Sequence, residues 1–218
     1  FNGAAIDFDG NSKTISNLTS GSISNNQSFL GNFTGKCTDL SITDAKITGN
    51  EYCAILAGQT NAEISNIYVT GTVNTNKRRT RGIVGYLTGG SMSGCSAKVS
   101  VKSTSGANIG GLVGQAYAGA SSNVSNCHLL AGSVVEGAGE SVGGIAGFSN
   151  TPIIACSVKN STITTANNAC GGITGTASAD ITDCEVFEVT VATTNSKSYV
   201  GAVAGRNQAV VSIERCSS

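Results

Sequence analysis

Apolar residues and glycine recur at near-constant intervals along the whole chain. The clearest copies read Gly-Gly-apolar-x-Gly, at residues 110–114, 143–147 and 171–175, with related copies at 201–205 and 82–85. With two weaker copies included, the final glycines lie 27 to 33 residues apart, at Gly31, Gly58, Gly85, Gly114, Gly147, Gly175 and Gly205. A period in this range predicts a solenoid built from repeated supersecondary units.

Two apolar columns accompany these glycines. Two positions before each final glycine stands a large apolar residue: Phe29, Leu56, Ile83, Leu112, Ile145, Ile173 and Val203. Five positions before it, a second column is apolar apart from one threonine: Cys53, Thr80, Ile109, Val142, Cys170 and Val200. Positions that stay apolar from copy to copy predict side chains that face a shared core.

A second repeated element follows each glycine and alternates apolar with polar positions, as a half-buried strand does. Its first column contains Cys37, Ile64, Met92, Val124, Ile153, Ile181 and Ile213. Its second column contains Leu40, Ile67, Cys95, Cys127, Cys156, Cys184 and Cys216. A third short strand follows, marked by Ile47, Val73, Val101, Val134, Ile163 and Val191.

These elements predict an all-β fold, because they are too short and too β-branched for helices. None has a hairpin partner, so we expect successive copies to stack in parallel at about 4.8 Å. The sequence therefore predicts a single-stranded parallel β-helix, or β-solenoid, of about seven coils with three short strands per coil. Residues 28–218 would form one continuous repeat domain, and residues 1–27 a partial N-terminal coil or lead-in.

The two ends of this domain lack the sequence of a solenoid cap. An end coil exposes its core and its unpaired strand edges. We therefore expect neighbouring domains or subunits to stack on the open ends, and the chain to be a fragment of a longer one.

The composition argues against nucleic-acid binding, binding to anionic lipid and a membrane span. Charged residues make up 12% of the chain and cancel to a net charge of zero, so no overall field favours nucleic acid or anionic lipid. No stretch approaches the roughly 20 apolar residues of a membrane span. The chain opens without a basic or apolar leader, so a signal peptide would be removed or lie outside this sequence.

The repeats resemble a known family. Residues 110–114 followed by Val124-Ser125-Asn126-Cys127 are similar to the GLUG-type repeat of large bacterial surface proteins. Phe8-Asp9-Gly10 with residues 14–18 resembles the lead-in that precedes those repeats. The resemblance implies a secreted or surface-anchored, adhesin-like protein with a parallel β-helical fold, and it implies no catalytic residues.

Cysteine chemistry is the first candidate for a site. The eight cysteines form no Cys-x-x-Cys pair and the only histidine is His128, so we predict no metal and no cofactor. Stacking would place Cys95, Cys127, Cys156, Cys184 and Cys216 in one structural core ladder. Bridges such as Cys95 to Cys127 or Cys156 to Cys184 are conceivable at that spacing. The alternative is that cysteine serves as a small buried apolar residue.

A basic segment is the candidate binding site. Lys77, Arg78, Arg79 and Arg81 lie in the corner before the third glycine repeat, and Lys98 and Lys102 fall one coil later. This patch could bind an anionic glycan or form a protease-sensitive loop. It could also be an ordinary solvated corner.

Catalytic chemistry has weaker candidates. Asp183 and Glu185 flank Cys184 and could face outward together, as a glycosidase pair would require. We predict instead an extracellular or cell-surface module that is not an enzyme. It would act as a structural stalk or adhesin-like surface for a host or cell-surface protein or glycan. The alternative is a carbohydrate-active or carbohydrate-binding β-helix protein, with Asp183, Glu185 and the surfaces of Tyr68, Tyr86 and Tyr117 as candidates.

Overall fold

The structure is a computed structural model that describes residues 2–21, 24–77, 82–196 and 198–218. Within these ranges the regular elements are all β-strands. The same ranges contain no helix of the length and hydropathy that a bilayer crossing requires.

In the N-terminal half, three long strands that bend at the coil corners alternate with short ones. These strands are β1 (Asn2–Ser16), β2 (Thr19–Gly21), β3 (Asn32–Gly49), β4 (Ala57–Thr60), β5 (Glu63–Thr75), β6 (Val84–Leu87), β7 (Met92–Ser93) and β8 (Ser96–Ser103).

From residue 109 onward the strands are two to four residues long. They are β9 (Ile109–Gly110), β10 (Val113–Ala116), β11 (Val124–Ser125), β12 (His128–Leu129), β13 (Val134–Gly137), β14 (Ser141–Gly143), β15 (Ala146–Ser149), β16 (Ile153–Ile154), β17 (Ser157–Lys159), β18 (Thr162–Thr165), β19 (Ala169–Gly171), β20 (Thr174–Ala177), β21 (Ile181–Thr182), β22 (Glu185–Phe187), β23 (Thr190–Thr193), β24 (Tyr199–Gly201), β25 (Ala204–Asn207) and β26 (Ile213–Glu214).

Strands pair in parallel with their counterparts one coil away. For example, β15 pairs with β10 on one side and with β20 on the other. One sheet of 22 strands wraps around the coil, and a four-stranded sheet of β9, β14, β19 and β24 completes it. The predicted parallel β-solenoid of about seven coils is confirmed, and each coil buries its apolar columns against those of the coils above and below.

Each of the three predicted elements is present, and two of them are bent. The glycine repeat contributes two segments, such as β14 and β15, on either side of a tight corner. The second element is divided in the same way into β16 and β17. The third strand is a single segment, such as β18.

The core contains the predicted columns. Leu56, Ile83, Leu112, Ile145 and Ile173 have no exposed surface. The second column is equally buried at Cys53, Ile109, Val142 and Cys170, while Thr80 lies outside the described residues.

Three predicted core positions are exposed. Val200 and Ile213 lie in the last coil and are 46% and 41% exposed, and Val134 is out of register. Val134 is 37% exposed, and its neighbour Val135 is fully buried in register with Val101 and Ile163. The corner before β13 is one residue longer than we assumed. A shift of one residue moves a strand position to the opposite face.

The repeat glycines allow close approach of two strands. A methyl carbon on Gly147 would lie 2.5 Å from the backbone carbonyl carbon of Asn108, and one on Gly205 would lie 2.6 Å from the backbone nitrogen of Cys170. The segments that precede and follow the glycine corner therefore pack backbone against backbone, which leaves no room for a Cβ atom.

Candidate binding surfaces

The predicted basic site is partly described. Arg78, Arg79 and Arg81 lie outside the described residues. The backbone of Lys77 lies beside β8, because its carbonyl accepts a 2.9 Å hydrogen bond from the hydroxyl of Ser103, the neighbour of Lys102. Lys98 is exposed and lies four residues earlier on β8, about 13 Å away at strand spacing.

A groove runs beside these lysines, where the third strands end. One cavity of about 530 Å³ is lined by residues that include Gly21, Thr48, Asn74, Asn76 and Thr104. A second, of about 300 Å³, is lined by residues that include Lys102, Thr104, Glu136, Thr164 and Thr194. The two cavities share Thr104, and we call them together the corner groove.

The corner groove follows a ladder of aligned side chains. The register places Gly21, Thr48, Asn74, Lys102, Glu136, Thr164 and Ala192 one above another. Six steps of about 4.8 Å give this ladder a length of roughly 29 Å. Hydroxyl and amide groups at regular spacing can donate and accept hydrogen bonds along an extended ligand.

One ion pair lies within the groove. Lys102 Nζ is 3.1 Å from Glu136 Oε1, and the two side chains are 52% and 48% exposed. An exposed pair of this kind contributes about 0–1 kcal/mol to stability.

The acidic residues are held in separate ion pairs. Arg215 donates from Nε and Nη2 to the two carboxylate oxygens of Asp183, at 2.6 and 2.8 Å. These bonds lower the pKa of the Asp183 carboxyl. Glu185 pairs with Lys159 at 2.6 Å. A lowered pKa is the opposite of what the general acid of a glycosidase pair requires, so Asp183 does not fit that role.

Five cysteines stack in the position of the predicted ladder. Cys95, Cys127, Cys156 and Cys184 are at most 1% exposed, and Cys216 at the end is partly exposed. All eight cysteines are free thiols. Burial raises the pKa of Cys170 to about 12, so the thiol stays protonated and unreactive at neutral pH.

His128 is half-buried. Its Nδ1 lies 2.9 Å from the hydroxyl oxygen of Ser157 on the next coil. Burial, and after it the charge of Lys159, lowers the pKa of His128.

Aromatic residues form a further surface on and beside the glycine-repeat strands. The residue after the final glycine forms a ladder: Gln59, Tyr86, Gln115, Phe148, Thr176 and Arg206. Tyr52 packs against Tyr86, and Tyr117 against Phe148. We call these four residues the aromatic row.

The sequence analysis named Tyr86 and Tyr117 as candidates but missed Tyr52 and Phe148, although the fixed position after the glycine predicts Phe148. Tyr68 lies on another segment, in register with Ser41 and Ser96.

The chain is similar to the crystal structure of a "putative immunoglobulin A1 protease" from Bacteroides ovatus. The two share 21% sequence identity with a TM-score of 0.69, over 94% of this chain and 69% of that chain. At this identity the likeness shows the β-helical fold alone. No family model matches the chain, and no curated protein sequence matches it. The GLUG-type resemblance therefore stays a prediction.

This comparison corrects one prediction. We predicted that the chain is not an enzyme, and that prediction is contradicted because a protein with a similar fold is described as a protease. The physical reason is that the repeat constrains inward residues only. The outward positions of a β-solenoid are free to carry chemistry that no repeat pattern reveals.

Proposed function

We propose that this chain is a binding module of a secreted or cell-surface protein, and that it binds an extended anionic glycan along the corner groove. The observation that carries the proposal is the run of five polar side chains in the ladder, which are Thr48, Asn74, Lys102, Glu136 and Thr164. Arg78, Arg79 and Arg81 follow Lys77 directly in the chain.

An anionic polymer suits this surface better than a neutral one. The basic segment 77–81 contains four of the thirteen basic residues in a chain of zero net charge, so its field is local. Guanidinium groups bind carboxylate and sulfate oxygens through two parallel hydrogen bonds, which gives both affinity and orientation. The hydroxyl and amide side chains of the groove would then hold the sugar hydroxyls between successive anionic groups.

The test is titration of heparin, chondroitin sulfate and polygalacturonate onto the wild-type chain and three variants. Replacing Arg78, Arg79 and Arg81 together with alanine should weaken binding at least tenfold and flatten its salt dependence. Asn74→Asp, which places a negative charge in the groove, should weaken it too. Lys98→Ala is the matched control and should bind within twofold of wild type.

Two results would contradict the proposal. One is that the wild-type chain binds none of the three polyanions. The other is that the triple arginine variant binds as tightly as the Lys98→Ala control. Because a similar structure is described as a protease, the same samples are also assayed for cleavage of immunoglobulin A1, a readout that is independent of groove binding.

A further inference from the structure

The aromatic row lies on a different segment of the coil from the corner groove. Tyr86 and Phe148 occupy the same rung position two coils apart, with Gln115 between them. At about 4.8 Å per rung, their backbones are roughly 9.6 Å apart along the solenoid axis. The outward side chains of this face thus alternate between amide and aromatic groups, from Gln59 to Phe148.

The rings meet at shallow angles. The centroids of Tyr52 and Tyr86 are 6.1 Å apart with 33° between the ring planes, and those of Tyr117 and Phe148 are 6.3 Å apart with 29°. Rings that meet edge to face would present a narrow ridge. Two rings at a shallow angle present a broad apolar surface, rich in π-electron density.

These rings are accessible. Tyr117, which directly follows β10, is 50% exposed. Tyr52, Tyr86 and Phe148 are each partly exposed. An accessible aromatic cluster on an otherwise polar surface points to a partner that covers it.

Amide groups border the rings. Gln115 lies in register between Tyr86 and Phe148, and its Oε1 accepts a 3.2 Å hydrogen bond from Asn108 Nδ2. This bond holds the Gln115 side chain beside the rings. Gln59 lies on the other side of Tyr86 in the same ladder. From Gln59 to Thr176 the ladder contains no charged residue.

A pyranose ring has the matching chemistry. One of its faces is a patch of C–H groups, which packs on an aromatic surface, and its rim consists of hydroxyl groups, which pair with amides. We propose that the aromatic row binds neutral pyranose units of an extended glycan that lies along the solenoid axis. This inference goes beyond the anionic ligand of the corner groove, because it concerns other residues and an uncharged ligand.

The test uses cellohexaose, xylohexaose and mannohexaose as probes, with calorimetry and intrinsic tyrosine fluorescence as readouts. The chain has five tyrosines and no tryptophan, so a sugar that covers the aromatic row changes a large part of the emission. We expect at least one hexasaccharide to bind. Tyr117→Ala and Tyr86→Ala should weaken that binding at least tenfold, and Tyr117→Phe, which keeps the ring, should stay within threefold.

Phe187→Ala is the matched control, since Phe187 is also 50% exposed but lies on β22. It should bind within twofold of wild type. Thermal unfolding of each variant separates a lost contact from a lost fold. The proposal is overturned if no hexasaccharide binds at millimolar concentration, or if Phe187→Ala weakens binding as much as Tyr117→Ala. It is also overturned if neutral sugars lose affinity in the triple arginine variant, because the glycan would then occupy the corner groove.

Discussion

At the scale of single residues, glycine in this chain is a steric requirement. The repeat glycines at 143, 144 and 147 do not have positive φ, so conformational freedom does not explain them. Gly147 is needed because the backbone of Asn108 and Ile109 passes directly over it. Any side chain there would push two packed strands apart.

We predict that Gly147→Ala lowers the free energy of unfolding by about 1–3 kcal/mol, the usual cost of overpacking. Gly21→Ala is the matched control, since a methyl group there would meet nothing within 4 Å, and its effect should stay within about 0.5 kcal/mol. Urea unfolding followed by circular dichroism measures both. Equal effects at the two sites would show that close strand approach is not the reason for the repeat.

At the scale of the element, each coil turns through a left-handed residue just before the cysteine column. These residues have φ between 50° and 62° and are Asp39, Asn66, Gly94, Asn126, Ala155, Asp183 and Arg215. Glycine adopts this conformation readily and asparagine and aspartate tolerate it, whereas for other residues it costs about 1–2 kcal/mol. The corner is therefore imposed by the packing of the strands on either side, even where the local sequence disfavours it.

Ala155 offers a test of this corner. Ala155→Gly should raise the free energy of unfolding by about 0.5–1 kcal/mol, because the relief of the left-handed strain exceeds the entropic cost of glycine. Ala97→Gly, at a buried strand position, should instead lower it by about 1 kcal/mol. Chemical denaturation of both variants decides the matter, and a loss of stability in Ala155→Gly would contradict the assignment of strain.

At the scale of the whole molecule, stability depends on a narrow core that buries several thiols. Cys37 and Cys170 are fully buried, and burial raises the pKa of each to about 12. In the unfolded chain these thiols ionise near pH 9. Between pH 9 and 12 the unfolded state therefore loses protons that the folded state keeps, and stability falls as pH rises.

We predict that the free energy of unfolding declines above pH 9, and that each such thiol contributes up to about 1.4 kcal/mol per pH unit. Cys37→Ala should show a flatter decline than wild type between pH 9 and 11, whatever its stability at pH 7. The difference between the two slopes of unfolding free energy against pH isolates the contribution of the Cys37 thiol from that of every other titrating group. Parallel slopes would mean that Cys37 is exposed to solvent in the folded state.

The sequence by itself determined the fold class, because inward positions repeat. Column residues such as Ile145 and Ile173 must be apolar in every coil, and Gly147 must be small. The sequence therefore shows the period of the solenoid. The core column was misplaced at Val134 because the corner there is one residue longer and the pattern no longer sets the register.

Tertiary structure alone decided which outward residues meet. Tyr52 contacts Tyr86 and Tyr117 contacts Phe148 across more than thirty residues of chain, and Lys102 pairs with Glu136 from the next coil. The corner groove likewise exists only where seven coils align. Core packing does not constrain the identity of outward side chains, so the sequence pattern does not predict which of them are neighbours. Stacking supplies those neighbours once the register of every corner is set.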